Sequence, residues 1–576
     1  MSLNYPTFIW SVADLLRGSF KAHQYGDIIL PFTVLRRLDC VLAPTKEQVL
    51  VAAGEAAAAG MPVSRGLLRA KAGHALSFWN VSRFDLGKLL GDPDNLAENL
   101  MSYINAFSAD VKDIFTNYKM EERIAELDAA DLLLLVTKRF SEVDLSPQAV
   151  PNEDMGHIFE ELIRKFAEAS NETAGEHFTP RDVIELMADL VLTPDDAALT
   201  KPHVVRSIYD PAAGTGGMLS IAQDHILALN PTASLTLAGQ EINPQSYAIC
   251  KADLIVKGQA ADAIVLGDTL IADGYVDKTF SYCLSNPPFG VDWKKQRDKV
   301  TQEHDLRGFA GRFGPGLPRI SDGAMLFLLH LISKMNKPSQ TDVTGGRAAI
   351  VLNGSPLFTG GAESGESNIR KWVLDRDYLE AIIALPTDMF YNTGIATYIW
   401  VLATAKSEQR KGLVQLIDAT GRGEKMRKSL GSKRNLLSEQ DIEWIARQYG
   451  DFAQTPTSKV FPREEFYYRT ITVERPLLDE AGHVVRDAKG RPKPDPKLRD
   501  TENVPWGEDI DAYVEREVKP FLPDAWVDKK KTKDGCEIPF TRHFYVYTPP
   551  RPLADIDRDL DEVLGRIRER LEQVRR

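Results

Sequence analysis

The chain has 576 residues, which is too long for a single hydrophobic core and predicts about three domains. Its net charge of −12 argues against tight non-specific binding of nucleic acid, because contacts with phosphates need Lys and Arg. With no apolar run of about 18 residues and no export leader, the chain is expected to have no membrane span and to be cytoplasmic.

The first 150 residues are predicted to be mostly helical. Apolar residues recur at helical spacing, and one stretch is rich in alanine, over the ranges 10–16, 27–42, 51–59 and 129–140. This region shows no constellation of catalytic side chains.

From about 151 to 420 the pattern alternates between strand and helix, which predicts an α/β fold with a mostly parallel sheet. A strand at 204–209 runs into a glycine turn and a helix at 218–229. The turn fits neither the dinucleotide fingerprint nor a phosphate loop. It carries a carboxylate instead, which favours a ligand with a positive end, such as S-adenosylmethionine. The candidate cofactor-binding residues here are Asp210, Ala212, Gly214, Gly216 and Gly217.

Two further acidic residues follow predicted strands, each one βα unit along the chain. Glu241 follows the strand at 235–240, and Asp268 follows the strand at 263–267. A carboxylate in the first position can accept from ribose hydroxyls, and one in the second from an adenine amino group. Any one of them alone is more often a helix cap or a loop residue. Three in successive units predict a cofactor site.

The tetrapeptide Asn286, Pro287, Pro288 and Phe289 follows a strand predicted at 280–285. The amide oxygen and the Pro287 carbonyl can accept from an exocyclic amine, while the phenyl ring stacks on a flat base. The alternative is an ordinary turn with a phenylalanine in the core. The position at the carboxyl end of a strand favours the catalytic interpretation.

A segment rich in Lys and Arg, with several glycines and prolines, covers residues 293–319. It predicts a flexible loop that contacts DNA through Lys294, Lys295, Arg297, Arg307 and Arg312. A solvated surface loop is the alternative, and charge alone does not separate the two.

Further elements complete the predicted sheet. Asp322 is expected to cap a helix that runs to residue 335, and strands are expected at 347–352 and 379–385. The strand at 395–403 is expected to be the last and antiparallel. Phe390, just before it, is either a second aromatic wall for a target base or a core residue.

Beyond residue 420 the periodicity weakens, and the range 476–500 is predicted to be exposed or disordered. The end of the chain is different, because apolar residues step by three and four. This seam predicts a helix that docks on a partner, with packing onto its own domain as the alternative. Its members are Leu553, Ile556, Leu560, Val563, Ile567, Leu571 and Val574.

Together these motifs resemble the amino-methyltransferases that modify exocyclic nitrogens in DNA. The sequence Gly-Glu-His-Phe-Thr-Pro-Arg at 175–181 precedes the glycine turn, and the segment 385–402 is similar to that of type I modification subunits. The resemblance implies a Rossmann-like core that uses S-adenosylmethionine, with Phe178 and Thr179 near the methionine part. It also implies an N-terminal helical domain that helps to clamp DNA and a C-terminal helix that meets a specificity subunit.

The resulting hypothesis is a DNA adenine-N6 methyltransferase that acts on a flipped base as the modification subunit of a type I restriction-modification complex. We expect three domains, at 1–150, 151–420 and 421–576, and no metal. The expected partners are double-stranded DNA and a DNA-specificity subunit, with a second copy of this chain and a restriction subunit as further candidates. The alternatives are a methyltransferase acting on RNA or protein glutamine, and a non-catalytic scaffold of a defence complex.

Overall fold

The computed structural model describes residues 5–62, 64–73, 76, 78–170, 179–257, 259, 261–288, 290–340, 343–391, 393–547, 549 and 551–575. Two compact units are present, Met1–Ile538 and Pro539–Arg576. None of the helices in these ranges is both long enough and apolar enough to cross a membrane. All four cysteines, Cys40, Cys250, Cys283 and Cys536, are buried free thiols.

The N-terminal part is helical, as predicted. Its central helix, Tyr25–Leu42, is buried on nearly all sides, because apolar residues fill most of its positions. The buried guanidinium of Arg37 on this helix donates to the Val150 carbonyl at 2.8 Å and to Asn152 Oδ1 at 2.6 Å. The helices are α1 (Tyr5–Leu16), α2 (Tyr25–Leu42), α3 (Lys46–Ala58), α4 (Arg65–Ala72), α5 (Leu86–Leu89), α6 (Leu96–Asn105), α7 (Ala109–Asn117), α8 (Met120–Ala129), α9 (Leu133–Ser141) and α10 (Asn152–Ser170).

Strands and helices alternate in the middle of the chain, as predicted for an α/β fold. The strands, in chain order, are β1 (Val205–Asp210), β2 (Ser234–Glu241), β3 (Ile264–Leu266), β4 (Tyr282–Ser285), β5 (Arg347–Asn353), β6 (Leu379–Ala384), β7 (Thr397–Ala403), β8 (Leu413–Asp418), β9 (Glu424–Leu430), β10 (Lys433–Leu436), β11 (Ser458–Pro462), β12 (Tyr467–Glu474), β13 (Asp500–Pro505), β14 (Trp526–Val527) and β15 (Lys533–Cys536).

The remaining helices follow the same numbering. They are α11 (Arg181–Leu192), α12 (Asp196–Leu199), α13 (Gly217–Leu229), α14 (Pro244–Val256), α15 (Arg297–Arg307), α16 (Ala324–Lys334), α17 (Ser355–Phe358), α18 (Gly365–Asp375), α19 (Glu439–Asp451), α20 (Ile510–Tyr513), α21 (Phe540–Phe544) and α22 (Leu553–Arg575).

Nine strands form the main sheet, in the order β11-β8-β6-β7-β5-β4-β1-β2-β3. The pairs from β3 to β5 are parallel, and β7 runs antiparallel to both β5 and β6, which confirms its predicted direction. The central strands β5 and β6 are buried at every position, as expected for strands covered on both faces. The prediction that β7 is the last strand is wrong, because β8 and β11 extend the sheet.

Two predicted local features also differ from the structure. Residues 297–307, expected to be part of a flexible loop, form helix α15. Helix α16 begins at Ala324 and not directly after Asp322, whose side-chain oxygen accepts a hydrogen bond from the Ala324 N–H at 3.0 Å. Asp322 therefore accepts this hydrogen bond from the position before the N-cap, which is Gly323.

Beyond the main sheet, β9 and β10 form an antiparallel ribbon, and β12 pairs with β13, β14 and β15 in a second sheet. Most of the range 476–500 is exposed, as predicted, and isolated bridges join Pro476 to Pro494 and Arg486 to Pro492. In the C-terminal unit, α22 confirms the predicted final helix. Its apolar residues from Leu553 to Leu571 are exposed by 36–73%.

Candidate active site

The predicted catalytic and cofactor-binding residues meet at one edge of the main sheet. Asp210 is the last residue of β1, and Asn286 directly follows β4, the parallel neighbour of β1. Glu241 is the last residue of β2, and Asp268 lies two residues beyond β3. Because the carboxyl ends of parallel strands lie at the same edge, these side chains surround one crevice.

A cleft of about 530 Å³ opens at this edge, a volume typical of sites for small ligands. Its walls come from the glycine turn, the ends of β2 and β3, the segment after Asn286 and helix α16. The lining residues are Pro211, Ala212, Glu241, Ile242, Asp268, Thr269, Leu270, Pro288, Val291, Asp292, Trp293, Lys295, Gln296, Gly323 and Phe327.

The glycine turn is held tightly against its surroundings. Gly214 and Gly216 have φ values of 54° and 86°, a region that favours glycine. The Gly214 N–H donates to Glu241 Oε2 at 2.8 Å, and a Cβ added to Gly216 would lie 2.7 Å from the Cys250 sulfur. Gly217 then begins helix α13. A side chain at Gly216 would therefore collide with Cys250, so this turn requires glycine there.

Asp210 is the buried carboxyl of the site, with 1% of its surface exposed. Its Oδ1 accepts a hydrogen bond from the Ala212 N–H at 2.9 Å. Burial raises the pKa of the Asp210 carboxyl to about 7, and the nearby charge of Glu241 adds to the rise. A positive ligand group would offset this cost of burying the charged form.

The other two acids already have partners within the protein. Glu241 Oε1 accepts from the Asn243 N–H at 2.7 Å, in addition to the bond from Gly214. Asp268 Oδ1 accepts from the Leu270 N–H at 2.9 Å, and its Oδ2 accepts from Gln296 Nε2 at 2.7 Å. Both carboxylates are thus held in fixed orientations beside the cleft.

Asn286 is oriented by a single contact. Its Nδ2 donates to Thr179 Oγ1 at 3.0 Å, which leaves the amide oxygen pointing elsewhere. That Oδ1 is buried and has no hydrogen-bond partner among the residues that the structure describes. Pro287 is buried and Pro288 lines the cleft, whereas Phe178 and Phe289 lie outside the described residues.

Phe390 and Arg312 are placed differently from their predicted roles. Phe390 is 1% exposed in the hydrophobic core, which favours the alternative of a core residue. The Arg312 guanidinium contacts Glu303 at 2.6 Å and donates to the Thr269 carbonyl at 2.7 Å, so little of it faces solvent. Arg312 therefore supports the wall of the cleft at Thr269 from inside.

The other predicted DNA-contacting cations remain at the surface. The side chains of Lys294, Lys295, Arg297 and Arg307 are exposed, and Lys295 also lines the cleft. Lys294 pairs with Asp292 at 3.1 Å, which offsets part of its charge.

Several residues of the cleft were not predicted from the sequence, among them Ile242 and Gln296. Ile242 is an apolar side chain with 60% of its surface exposed, and its position directly after Glu241 was the available signal. Gln296 contacts Asp268 from the turn before helix α15. No local pattern marks such a contact, because 28 residues separate the two side chains.

Two family models match the chain. The model described as N-6 DNA Methylase matches residues 151–469, and the model described as HsdM N-terminal domain matches residues 6–140. The first match covers more than half of the chain.

Individual relatives agree with these matches. The chain is 26% identical over 471 residues to the type I restriction enzyme MjaIX methylase subunit of Methanocaldococcus jannaschii, covering 77% of this chain and 76% of the relative. It is 29% identical to the MpnII methylase subunit of Mycoplasma pneumoniae, covering 58% and 60% of the two chains. The fold is similar to that of the type I restriction-modification system methyltransferase subunit from Streptococcus thermophilus, with a TM-score of 0.60, 21% identity and coverage of 80% and 95%.

Proposed function

We propose that the crevice binds the cofactor on the side of β1 and the target base on the side of β4. The chain belongs to the N-6 DNA methylase family and is a DNA adenine-N6 methyltransferase, the modification subunit of a type I restriction-modification system. The observation that carries the proposal is the buried Asn286 Oδ1, which lacks a partner within the described part of the chain while Thr179 fixes Nδ2. A buried acceptor without a donor is costly, so a ligand N–H is the natural partner.

The family uses S-adenosylmethionine, and the residues present fit that group. Asp210 offers a carboxyl whose pKa is raised by burial, and a positively charged ligand group would stabilise its charged form. Ile242 offers an exposed apolar surface for a flat ring, and Asp268 offers an acceptor beside the cleft. When bound, S-adenosylmethionine supplies a methyl group activated by a positively charged sulfur.

We assign the cofactor contacts by chemistry. Asp210 faces the positive end, Glu241 accepts from ribose hydroxyls, and Asp268 accepts from the adenine amino group. The remaining proposed contacts are the backbone of the glycine turn and the side chains of the segment before α11: Ala212, Gly214, Gly216, Gly217, Phe178 and Thr179.

The target base is held by the segment after β4. Asn286 Oδ1 and the Pro287 carbonyl accept the two hydrogens of the adenine exocyclic amine, which directs its nitrogen lone pair toward the methyl donor. Pro288 shapes the wall, and Phe289 stacks on the base after it leaves the duplex. Phe390 has no place in this pocket, since it is buried in the core.

A methyl-transfer assay tests this proposal and its rivals. The full chain, with its specificity subunit, is incubated with tritiated S-adenosylmethionine and with duplex DNA, RNA or protein. Label on DNA adenine supports the proposal, label on RNA or protein glutamine favours the alternative enzymes, and no cofactor binding in any complex favours a scaffold.

We also propose that the chain has three domains, at 1–150, 151–420 and 421–576, and that it works in a complex with other subunits and DNA. The exposed apolar row of α22 is proposed to dock on the specificity subunit, with a second copy of the chain and a restriction subunit completing the complex. Replacing Leu560 and Ile567 by Glu should abolish co-purification with the specificity subunit while leaving cofactor binding intact. Efficient site-specific methylation by the chain alone would contradict this dependence.

A further inference from the structure

The ribbon formed by β9 and β10 carries a local excess of positive charge. Between residues 422 and 436 the sequence has six Lys or Arg and one acid, Glu424, in a chain whose net charge is −12. Five of the six cations are exposed, and Lys433 is buried. We call residues 422–436 the basic ribbon. The exposed cations are Arg422, Lys425, Arg427, Lys428 and Arg434.

Four of these exposed cations are free of internal partners. Within the described part of the chain, the side chains of Lys425, Arg427, Lys428 and Arg434 make no ion pair or hydrogen bond. Arg422, by contrast, lies over the Trp444 ring at 3.8 Å. Cations that are exposed and unpaired remain available to an external anion.

The basic ribbon is fixed to the active-site edge of the sheet. Its backbone N–H groups at Ser432 and Arg434 donate to the carbonyls of Tyr391 and Asp388, each at 2.9 Å. These acceptors lie in the loop after β6. Strand β7 is antiparallel to both β5 and β6, and β5 is parallel to β4, so β6 runs in the same direction as β4. The loop therefore leaves the sheet at the edge where Asn286 lies.

A buried ion pair ties the basic ribbon to the same neighbourhood. Lys433 Nζ lies 3.1 Å from Asp182 Oδ2 and donates to the Met389 carbonyl at 3.1 Å. Asp182 also accepts from the Leu437 N–H at 2.8 Å. Asp182 is on α11, three residues after Thr179, the partner of Asn286. The ribbon and the catalytic amide are thus supported by one segment of chain.

From these observations we propose that the basic ribbon binds the phosphate backbone of double-stranded DNA beside the target base. A two-stranded ribbon fits a DNA groove, and unpaired Lys and Arg neutralise phosphates with release of counterions. Because the rest of the chain is acidic, phosphate contacts have to be concentrated in patches such as this one. The inference rests on the proposed function, since it takes DNA as the substrate.

The test measures the affinity of the chain, in complex with its specificity subunit, for a fluorescein-labelled duplex of mixed sequence by anisotropy at salt concentrations from about 50 to about 200 mM, a range in which phosphate contacts dominate the salt dependence. The variant Lys425→Gln, Arg427→Gln, Lys428→Gln should bind at least about tenfold more weakly. Its slope of log K against log salt should be smaller by about 0.9 for each phosphate that is no longer neutralised. Binding of S-adenosylmethionine, followed by calorimetry, should be unchanged.

A matched control makes the same change of charge elsewhere. Arg486, Lys489 and Lys493 are exposed cations on the 476–500 segment, and their replacement by Gln should leave the slope unaltered. Equal effects of the two triple variants, an unchanged slope in the ribbon variant, or no duplex binding by the wild-type complex would overturn the inference. An unaltered DNA affinity would point instead to an acidic protein surface as the ligand of the ribbon.

This experiment separates the two proposals. If the chain binds cofactor and methylates DNA but the ribbon variant behaves like wild type, only the ribbon inference fails. If the ribbon variant loses salt-dependent DNA binding while wild type transfers no methyl group to any substrate, only the proposed function fails.

Discussion

The two sides of the crevice differ in how far the protein satisfies its own polar groups. On the β2 and β3 side, Glu241 and Asp268 each accept hydrogen bonds from fixed protein donors. On the β1 and β4 side, Asp210 is buried with a raised pKa, and Asn286 Oδ1 has no partner among the described residues. Under the proposed function, the first side holds its carboxylates in place before binding, whereas the second is completed by its ligands.

This difference indicates where the free energy of binding is used. Acceptors that are already bonded can orient a ligand at small cost, because they need no rearrangement. Acceptors left unsatisfied keep a cost in the free protein that only the correct ligand removes. Substitutions on the β1 and β4 side should therefore have the larger effects.

The largest effect is expected for Asn286→Ala. Removing the amide oxygen should lower the rate of methyl transfer by at least about 10²- to 10³-fold, as for loss of a catalytic hydrogen-bonding group. Calorimetric affinity for S-adenosylmethionine should stay within about threefold. Thr179→Val is the matched variant, since it keeps the amide oxygen but removes the hydrogen bond that orients the amide, and the rate should fall less than in Asn286→Ala. Weaker cofactor binding with normal turnover would contradict the assignment.

The next largest effect is expected for Asp210→Asn. Loss of the charge should weaken S-adenosylmethionine binding by about 10- to 100-fold, the range of one hydrogen bond to a charged group. The ligand-free protein should instead become more stable above pH 7, because a buried charge that raises the free energy of the native state is removed. Thermal unfolding and calorimetry measure the two effects, with the exposed Asp277→Asn as the control. An unchanged affinity would remove Asp210 from the cofactor site.

The raised pKa of Asp210 also predicts a dependence on pH. Below pH 7 the Asp210 carboxyl must lose a proton before it can pair with a positive group. The affinity for S-adenosylmethionine should therefore fall by about tenfold for each unit by which the pH is lowered below 7. Calorimetry in buffers of different ionisation enthalpy should show proton release on binding. Asp210→Asn should abolish both the pH dependence of the affinity and the release of a proton. A wild-type affinity that is constant from about pH 5.5 to about pH 7 would show that Asp210 does not bind the positive group of the cofactor.

A smaller effect is expected on the prepared side. Gln296→Ala removes the donor to Asp268 Oδ2 and should weaken cofactor binding by about three- to tenfold, the net contribution of a typical hydrogen bond. Gln302→Ala, an exposed change on the adjoining helix α15, should have no effect. An effect at Gln296 larger than that at Asp210 would reverse the comparison between the two sides.

The sequence predicted the central fold well, because the period of apolar residues directly reports buried strands and helices. It failed for β8 and β11, whose place in the sheet depends on pairing with distant strands. Strand β11 ends in a proline and is exposed or half-buried at most positions, so its pattern resembles a loop. Helix α15 was missed for a similar reason, because it buries only Val300 and precedes a run rich in glycine and proline.

The site shows the same division. Acids and the asparagine at strand ends were predictable, since chain position alone places them at one edge. The partners of Arg312 and the burial of Phe390 were not, because a guanidinium on a loop and an aromatic before a strand fit either solvent or the core equally well. Only the fold determines which neighbour each side chain meets.

The outer strands of the main sheet have a consequence for handling the protein. On one margin β3 offers only three residues, and on the other β11 ends at Pro462, which has no backbone N–H to share. Neither margin is a good template for an additional strand from another molecule. The main sheet should therefore not nucleate cross-β fibres in concentrated solutions. Any aggregation during storage should begin at another part of the protein.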